Sequence, residues 1–436
     1  MHLKKLVLRN YRCFRERSFE FASRFNLLVG DNGTGKTSIL FGAAFAVGSL
    51  FRGFPEPEEP YSLDDESVRT ETFWNAGRAN VEPQYPVGIE CTAEVDGKDV
   101  TWHRSRSKGG RTNWALGGPI EQLAESIAER VARNERVVLP VLAFYGTGRV
   151  WKQRKRQKVN TFGPSSRFKG YQNSLEPTSG EKMLLEWFKT RELTALQKSA
   201  KLEDLEAVRT AVKRCVQGAE DVYWDVGADQ LTVRFGDRAS GRISRFGQMS
   251  DGYRNVLATV ADIALRCVAL NPQLGERAID ETPGVVLIDE IDLHLHPNWQ
   301  RHVVRDLMAA FPKVQFIATT HSPFIIQSLP PSDRVRLINL DEPAADDFVN
   351  KSVEDIAEEV QQVPLPSRSR RYLEMLDTAK EYYRCLNEAG SAPPERVKVL
   401  KDRLDKLMAP FGDDPAYQAF LQMQRAASGI DEEASK

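Results

Sequence analysis

One stretch, RFNLLVGDNGTGKTSILFGAAFAV, constrains the fold of this chain more than any other. Residues 24–29 have the apolar pattern of a short strand, and they run through a glycine-rich turn into the apolar helix pattern Thr37–Val47. That order, strand then loop then helix, opens an α/β fold built around a sheet. The turn itself, Gly30–Thr37, fits G-x-x-x-x-G-K-[ST]. In such a turn the glycines let backbone amides point at phosphates, the lysine reaches the β- and γ-phosphates, and the last hydroxyl serves magnesium. Asn32, Gly33, Gly35, Lys36, Thr37 and Ser38 are therefore the expected nucleotide contacts, with Thr37 also a metal ligand. An ordinary glycine-rich turn is the alternative, and the strand before and helix after it argue against that.

A second segment supplies what a phosphate loop lacks. VVLIDE (Val285–Glu290) is a fully apolar strand pattern that ends in two acids. Asp289 is placed to hold magnesium through water and Glu290 to polarise an attacking water. After the next strand pattern, Val314–Ala318, comes ATTHSP, which puts His321 at a strand end where an imidazole can meet a γ-phosphate. A core strand ending in acids and a structural histidine are the plainer readings of each segment alone.

The 436 residues suffice for an elaborated α/β domain with an appendage. Lys plus Arg number 60 against 61 for Asp plus Glu, so any nucleic-acid contact must be local. Cys13, Cys91, Cys215, Cys267 and Cys385 are scattered and form no CxxC, which argues against disulfides or a zinc ribbon. Charge interrupts the N-terminal MHLKKLVLRNYRCF before any signal-peptide core forms, and no run approaches a membrane span, so a cytoplasmic protein is expected.

Along the chain, 3–8 reads as a strand, PEPEEP opens a surface insertion that lasts to about residue 80, and 87–102 alternates around Asp96-Gly97 as an antiparallel hairpin. Residues 137–145 read as a buried strand, 181–217 as helices, 222–235 as a hairpin, 251–270 as a helix and 298–310 as another. Beyond about 350 the pattern is helical, with Val397, Leu400, Leu404 and Leu407 on one face. That face suits a partner, a second copy or internal packing. No repeat at a solenoid period is present.

In this order, GDNGTGKT, Ser250 and Gly252 of QMSDGYRN, Asp289 with Glu290, and His321 together resemble the ABC-type ATPases, specifically the RecF, SMC and OLD-like branch. The resemblance spans residues 1 to about 340 and includes the opening LKKLVLRNYRCFRERSFEF. It implies an ATPase head at 1–345, comprising a lobe with the phosphate loop at 1–150, a basic and helical insertion at 150–245, and a signature helix to switch histidine at 246–325. A C-terminal helical region at 346–436 follows. It also implies ATP and Mg2+ as cofactors, Glu290 and His321 as catalytic residues, and an ATP-sandwiched pair in which Ser250 and Gly252 of one copy meet the γ-phosphate held by the other. MSDGY replaces the LSGGQ of transport subunits, and the tail after Glu290, IDLHLHP, looks like that of defence- and repair-associated ATPases. In this reading His294 and His296 belong to a dimer-facing loop, with metal ligation as the other possibility.

FYGTGRVW resembles a block in the Septu-type PtuA ATPases of anti-phage defence, although a tight turn capping a strand explains it equally well; Gln153 is the nearest candidate for the family's magnesium-shell glutamine. The basic run Arg149–Lys158 and the aromatics Trp151, Phe162, Phe168 and Tyr171 suit DNA or RNA phosphates and bases, with a solvated loop as the alternative. No Asp-x-Asp with a companion Glu of Toprim type and no HNH-like histidine cluster is found, so a separately encoded nuclease is expected to do any cutting. The resemblance thus points to a slow ATP hydrolase gating a nuclease in anti-phage defence, with a RecF-like repair ATPase that binds DNA unaided as the alternative.

Overall fold

The Phe25–Val29 strand occupies an inner position of a five-stranded parallel sheet whose neighbouring strands come from far along the chain. A computed structural model describes residues 1–55, 62–75, 78–113, 118–149, 166–177, 181–236, 241–341, 351–363, 366, 369–387 and 394–408. It divides into two units, Met1–Ile356 and Ala357–Lys436.

In the first unit the strands are β1 (His2–Tyr11), β2 (Phe14–Glu20), β3 (Phe25–Val29), β4 (Thr70–Asn75), β5 (Arg78–Pro83), β6 (Val87–Val95), β7 (Lys98–Arg106), β8 (Val141–Tyr145), β9 (Ala219–Asp225), β10 (Gln230–Phe235), β11 (Arg242–Arg245), β12 (Gly284–Ile288), β13 (Val314–Thr319) and β14 (Val335–Asn339). The main helices are α1 (Lys36–Gly48), α2 (Gly118–Ala132), α3 (Glu181–Lys198), α4 (Glu203–Cys215) and α5 (Asp251–Leu270). The parallel sheet has the order β14-β3-β13-β12-β8. Every residue of β3, β8, β12 and β13 is buried, which is why these strands read as unbroken apolar runs: helices and the flap cover both sheet faces.

The predicted α/β core with an antiparallel flap is thus observed. The flap has the order β2-β1-β6-β7, and its hairpin turns at Asp96 (φ 51°) and Gly97 (φ 75°), both left-handed as a two-residue turn requires. Val87, Ile89, Cys91, Ala93 and Val95 all face inward. Two side chains seat the flap. Gln315 of β13 exchanges hydrogen bonds with the Leu3 backbone, N to Oε1 and Nε2 to O, both at 2.8 Å. Trp102 of β7 donates from Nε1 to the Ala46 carbonyl of α1 at 3.2 Å.

Four features depart from expectation. The insertion before residue 80 ends in a ribbon of β4 and β5, whose Trp74 is 73% exposed. The hairpin near 222–235 is a three-stranded sheet, β11-β10-β9. Helix α2 and strand β14 form where no element was anticipated. The helix at 298–310 is broken into Pro297–Gln300 and Val303–Ala310.

In the second unit, helices Arg370–Asn387 and Pro394–Met408 pack around Met375, Ala379, Tyr382, Cys385, Leu400 and Leu404, with Val397 and Leu407 against them. The leucine face therefore serves internal packing.

Candidate functional site

All five parallel strands end at one sheet edge, and the register places the predicted residues there. Ile288 of β12 lies beside Ala318 of β13 and Tyr145 of β8, and Leu28 of β3 lies beside Thr319. The loop after β3, the Asp289-Glu290 pair after β12 and His321 after β13 consequently share the carboxyl end of the sheet, the usual ligand crevice of an open α/β sheet.

The phosphate loop is built tightly against the flap. Gly35 sits at φ 96°, and a Cβ there would fall 2.4 Å from Cys13 Sγ and 2.6 Å from the Phe14 ring, so no side chain fits. Lys36, the first residue of α1, is only 7% exposed; its Nζ donates to the carbonyls of Gly30 (2.7 Å) and Asp31 (2.8 Å). Burial pushes its pKa down, while Asp341, Asp31, Asp289 and Glu290 pull it back up. An anion beside this ammonium, at the start of a helix, would be favoured by both charge and dipole. Asn32 is exposed in the same turn, and Ser38 is half-buried in the first turn of α1.

Asp289 is buried and fixed on three sides. Its amide donates to the Tyr145 carbonyl (2.8 Å), and its carboxylate accepts Thr37 Oγ1 at 3.2 and 3.0 Å and Thr319 Oγ1 at 2.7 Å. The Thr37–Asp289 pair fits magnesium. Adjacent ligands of an octahedral ion with bonds near 2.1 Å stand about 3 Å apart, and such ions take one or two protein oxygens and leave the rest to phosphate and water. Among the described residues no group of three or more His, Cys, Asp or Glu could hold a metal by itself. His296 accepts the Asn298 amide on Nδ1 at 3.3 Å and so caps the Pro297–Gln300 helix.

Glu290 has φ 48°, a left-handed conformation rare for a residue with a side chain. Thr319 holds it there: the Glu290 amide donates to Thr319 Oγ1 (2.7 Å) and the Ile291 amide to the Thr319 carbonyl (2.9 Å). One buried hydroxyl therefore orients both acids. Sequence reasoning missed Thr319; the doubled threonine before His321 was the available signal. Thr319→Val is expected to reduce ATP hydrolysis by about ten- to a hundredfold and to raise the magnesium concentration for half-maximal rate, because supporting bonds of this kind carry that much activity. A magnesium titration of the variant's rate checks this; an unchanged curve would remove Thr319 from the site. His321 itself is exposed, flanked by Thr320, which donates to Asp292, and by Ser322, whose Oγ donates to Gln300 Oε1 at 2.6 Å and accepts the Phe324 and Ile325 amides.

Ser250 and Gly252 are engaged differently. No hydrogen bond joins them to the phosphate loop among the described residues. Ser250 is the exposed N-cap of α5, and its side chain makes no capping bond. Gly252 presses on the loop after Glu290: a Cβ there would lie 2.3 Å from the His294 carbonyl oxygen. Asn255 Nδ2 donates to the Leu293 carbonyl at 3.1 Å, and Tyr253 packs edge-on against Trp299 at 4.4 Å. The start of α5 is thereby fastened to residues 291–299.

The proposed nucleic-acid contacts are corrected in part. Phe168 and Tyr171 are 6% and 3% exposed, packed on Phe54 at 4.7 and 5.2 Å, and Tyr171 donates to the Pro140 carbonyl; they are core residues and cannot stack on bases. Arg149 closes the short turn Thr147–Arg149. Residues 150–165, with the rest of the basic run and Trp151, Gln153 and Phe162, lie outside the described residues.

Two family models match the chain: one described as "AAA domain" over residues 5–215, and one described as "AAA domain, putative AbiEii toxin, Type IV TA system" over residues 156–327. The chain is 25% identical over 403 residues to Retron Vc95 probable ATPase of Vibrio cholerae serotype O1 biovar El Tor, covering 78% of this chain and 74% of that protein. It is 42% identical over 132 residues to Septu protein PtuA of Bacillus mycoides (strain KBAB4), covering 29% of this chain and 16% of that protein. Among solved structures, the SMC head domain from Thermotoga maritima is similar with TM-score 0.41 and 16% identity, covering 75% of this chain and 91% of that one.

Proposed function

Because this chain is an ABC/SMC-like ATPase related to PtuA, we propose that it is the ATP-binding and hydrolysing subunit of a bacterial anti-phage defence complex. Two copies pair across ATP, and the nucleotide state of that pair controls a separately encoded nuclease. The observation that carries this reading is the split engagement of the site residues. Lys36, Thr37, Asp289, Glu290 and His321 gather at one sheet edge, while Ser250 presents an exposed, unbonded hydroxyl at the head of α5. A hydroxyl and helix N-terminus so placed suit a phosphate brought by another copy.

In this reading Lys36 and the loop amides hold the β- and γ-phosphates. Thr37 and Asp289 hold magnesium, which when bound neutralises charge on the phosphate oxygens. Glu290 takes the proton of the attacking water, and His321 contacts the γ-phosphate. Ser250 and Gly252 close the site from the partner copy. Since Gly252 abuts His294, closure at Ser250 is felt by the loop that begins at Glu290, which couples pairing to hydrolysis. The device is a switch whose two states differ by the γ-phosphate. Among the described residues no helix is long and apolar enough to cross a membrane.

Native purification with co-encoded neighbours, followed by mass measurement with and without ATP, tests the proposal. A stable heteromer with a nuclease is expected, its stoichiometry shifting with ATP. A lone homodimer that binds DNA would overturn it in favour of a repair ATPase.

A further inference from the structure

Strand β14 sets a carboxylate against the phosphate loop. It runs parallel to β3 with Asn339 beside Val29, and the pairing continues one residue further, where the Leu340 amide donates to the Val29 carbonyl at 2.9 Å. Asp341 comes next, and its Oδ2 accepts the Asp31 amide at 2.7 Å. The position is well anchored: the Asp341 amide donates to Asn339 Oδ1 at 3.1 Å, and the Arg17 guanidinium donates twice to the Leu340 carbonyl, each at 3.1 Å. The missing side chain at Gly30 makes room, since a Cβ there would stand 3.2 Å from the same carboxylate oxygen. The Asp31 that Asp341 holds by its amide also accepts Lys36 Nζ on its carbonyl, at 2.8 Å.

We propose that Asp341 is the resident counter-anion of the phosphate loop: a positioning residue that tethers the Asp31 amide while its charge opposes an incoming polyphosphate. It thereby lowers nucleotide affinity, and more for ATP than for ADP. The inference rests on the reading of Gly30–Ser38 as a nucleotide site. Like charges repel with an energy that grows with the number of phosphate charges, and ATP carries one more than ADP. Asp341 is exposed, so solvent and salt keep the effect moderate. Asparagine keeps an acceptor for the Asp31 amide and removes only the charge, whereas glutamate keeps the charge.

The test is equilibrium titration of the full chain with N-methylanthraniloyl-ATP and N-methylanthraniloyl-ADP in magnesium buffer, at low and at high ionic strength. Asp341→Asn is expected to bind the ATP probe about three- to tenfold more tightly at low salt, to gain less for the ADP probe, and to lose much of the gain at high salt. Asp341→Glu is expected to show no gain. A purely structural tether would give weaker binding in the Asn variant, and that result, or equal tightening in the Asn and Glu variants, overturns the inference alone. A wild-type chain that binds neither probe overturns the nucleotide-site reading, and the inference with it.

Discussion

Replacing Glu290 with Gln is expected to lower steady-state ATP hydrolysis by about a hundredfold or more while ATP stays bound, since a positioned general base contributes roughly 10²–10⁴-fold. The substitution isolates that role. Glutamine matches glutamate in size and faces the same left-handed backbone at φ 48°, so the Thr319 clamp on the residue 290 amide is retained. Asp289 and Thr37 keep their mutual contact, so affinity for magnesium and ATP should remain within a few-fold. With hydrolysis blocked, the ATP-bound state accumulates, and the pair it holds together should persist. Phosphate release measured beside light-scattering mass, with and without ATP, reads both effects. If neither turnover nor association changes, Glu290 is not the base.

The parts of this site visible in the sequence were those whose signal is local. GDNGTGKT declares itself because the backbone must curl within eight residues. VVLIDE declares itself because a strand buried on both faces is an apolar run, and the acids mark its end. What stayed hidden depends on distant partners. Sheet order was not readable: β3 lies between β13 and β14, both some 300 residues away along the chain, and nothing in FNLLV names them. VRLIN carries an arginine and an asparagine and buries only Leu337, so it does not read as an unbroken apolar run like β3, and Asp341 could not be placed beside Asp31. Thr319 was passed over because its two duties, orienting Asp289 and holding Glu290, are met only once β12 and β13 pair. Phe168 and Tyr171 misled for the converse reason. Proximity to a basic run suggested a stacking surface, yet their apolar area is taken up by Phe51 and Phe54, residues more than a hundred positions earlier.

Ser250→Arg is expected to leave ATP binding within about threefold of the wild type yet abolish ATP-dependent pairing and reduce hydrolysis at least tenfold. Binding should survive because Ser250 makes no bond to the phosphate loop and is exposed; the direct cost to α5 is a cation at a helix N-terminus, roughly 0.3–1 kcal/mol. Pairing should fail because a guanidinium is far larger than a hydroxyl at a surface meant to close on phosphate. Mixing makes the test decisive. A Lys36→Ala chain lacks its phosphate lysine but keeps Ser250, and a Ser250→Arg chain has the opposite defect. If each site is built from Lys36 of one copy and Ser250 of the other, a mixed pair restores one complete site out of two, and hydrolysis should reappear when two individually inactive proteins are combined. A site contained within one chain predicts no recovery. Normal turnover by Ser250→Arg alone would mean that QMSDGYRN takes no part in the reaction, and the pairing model would fall with it.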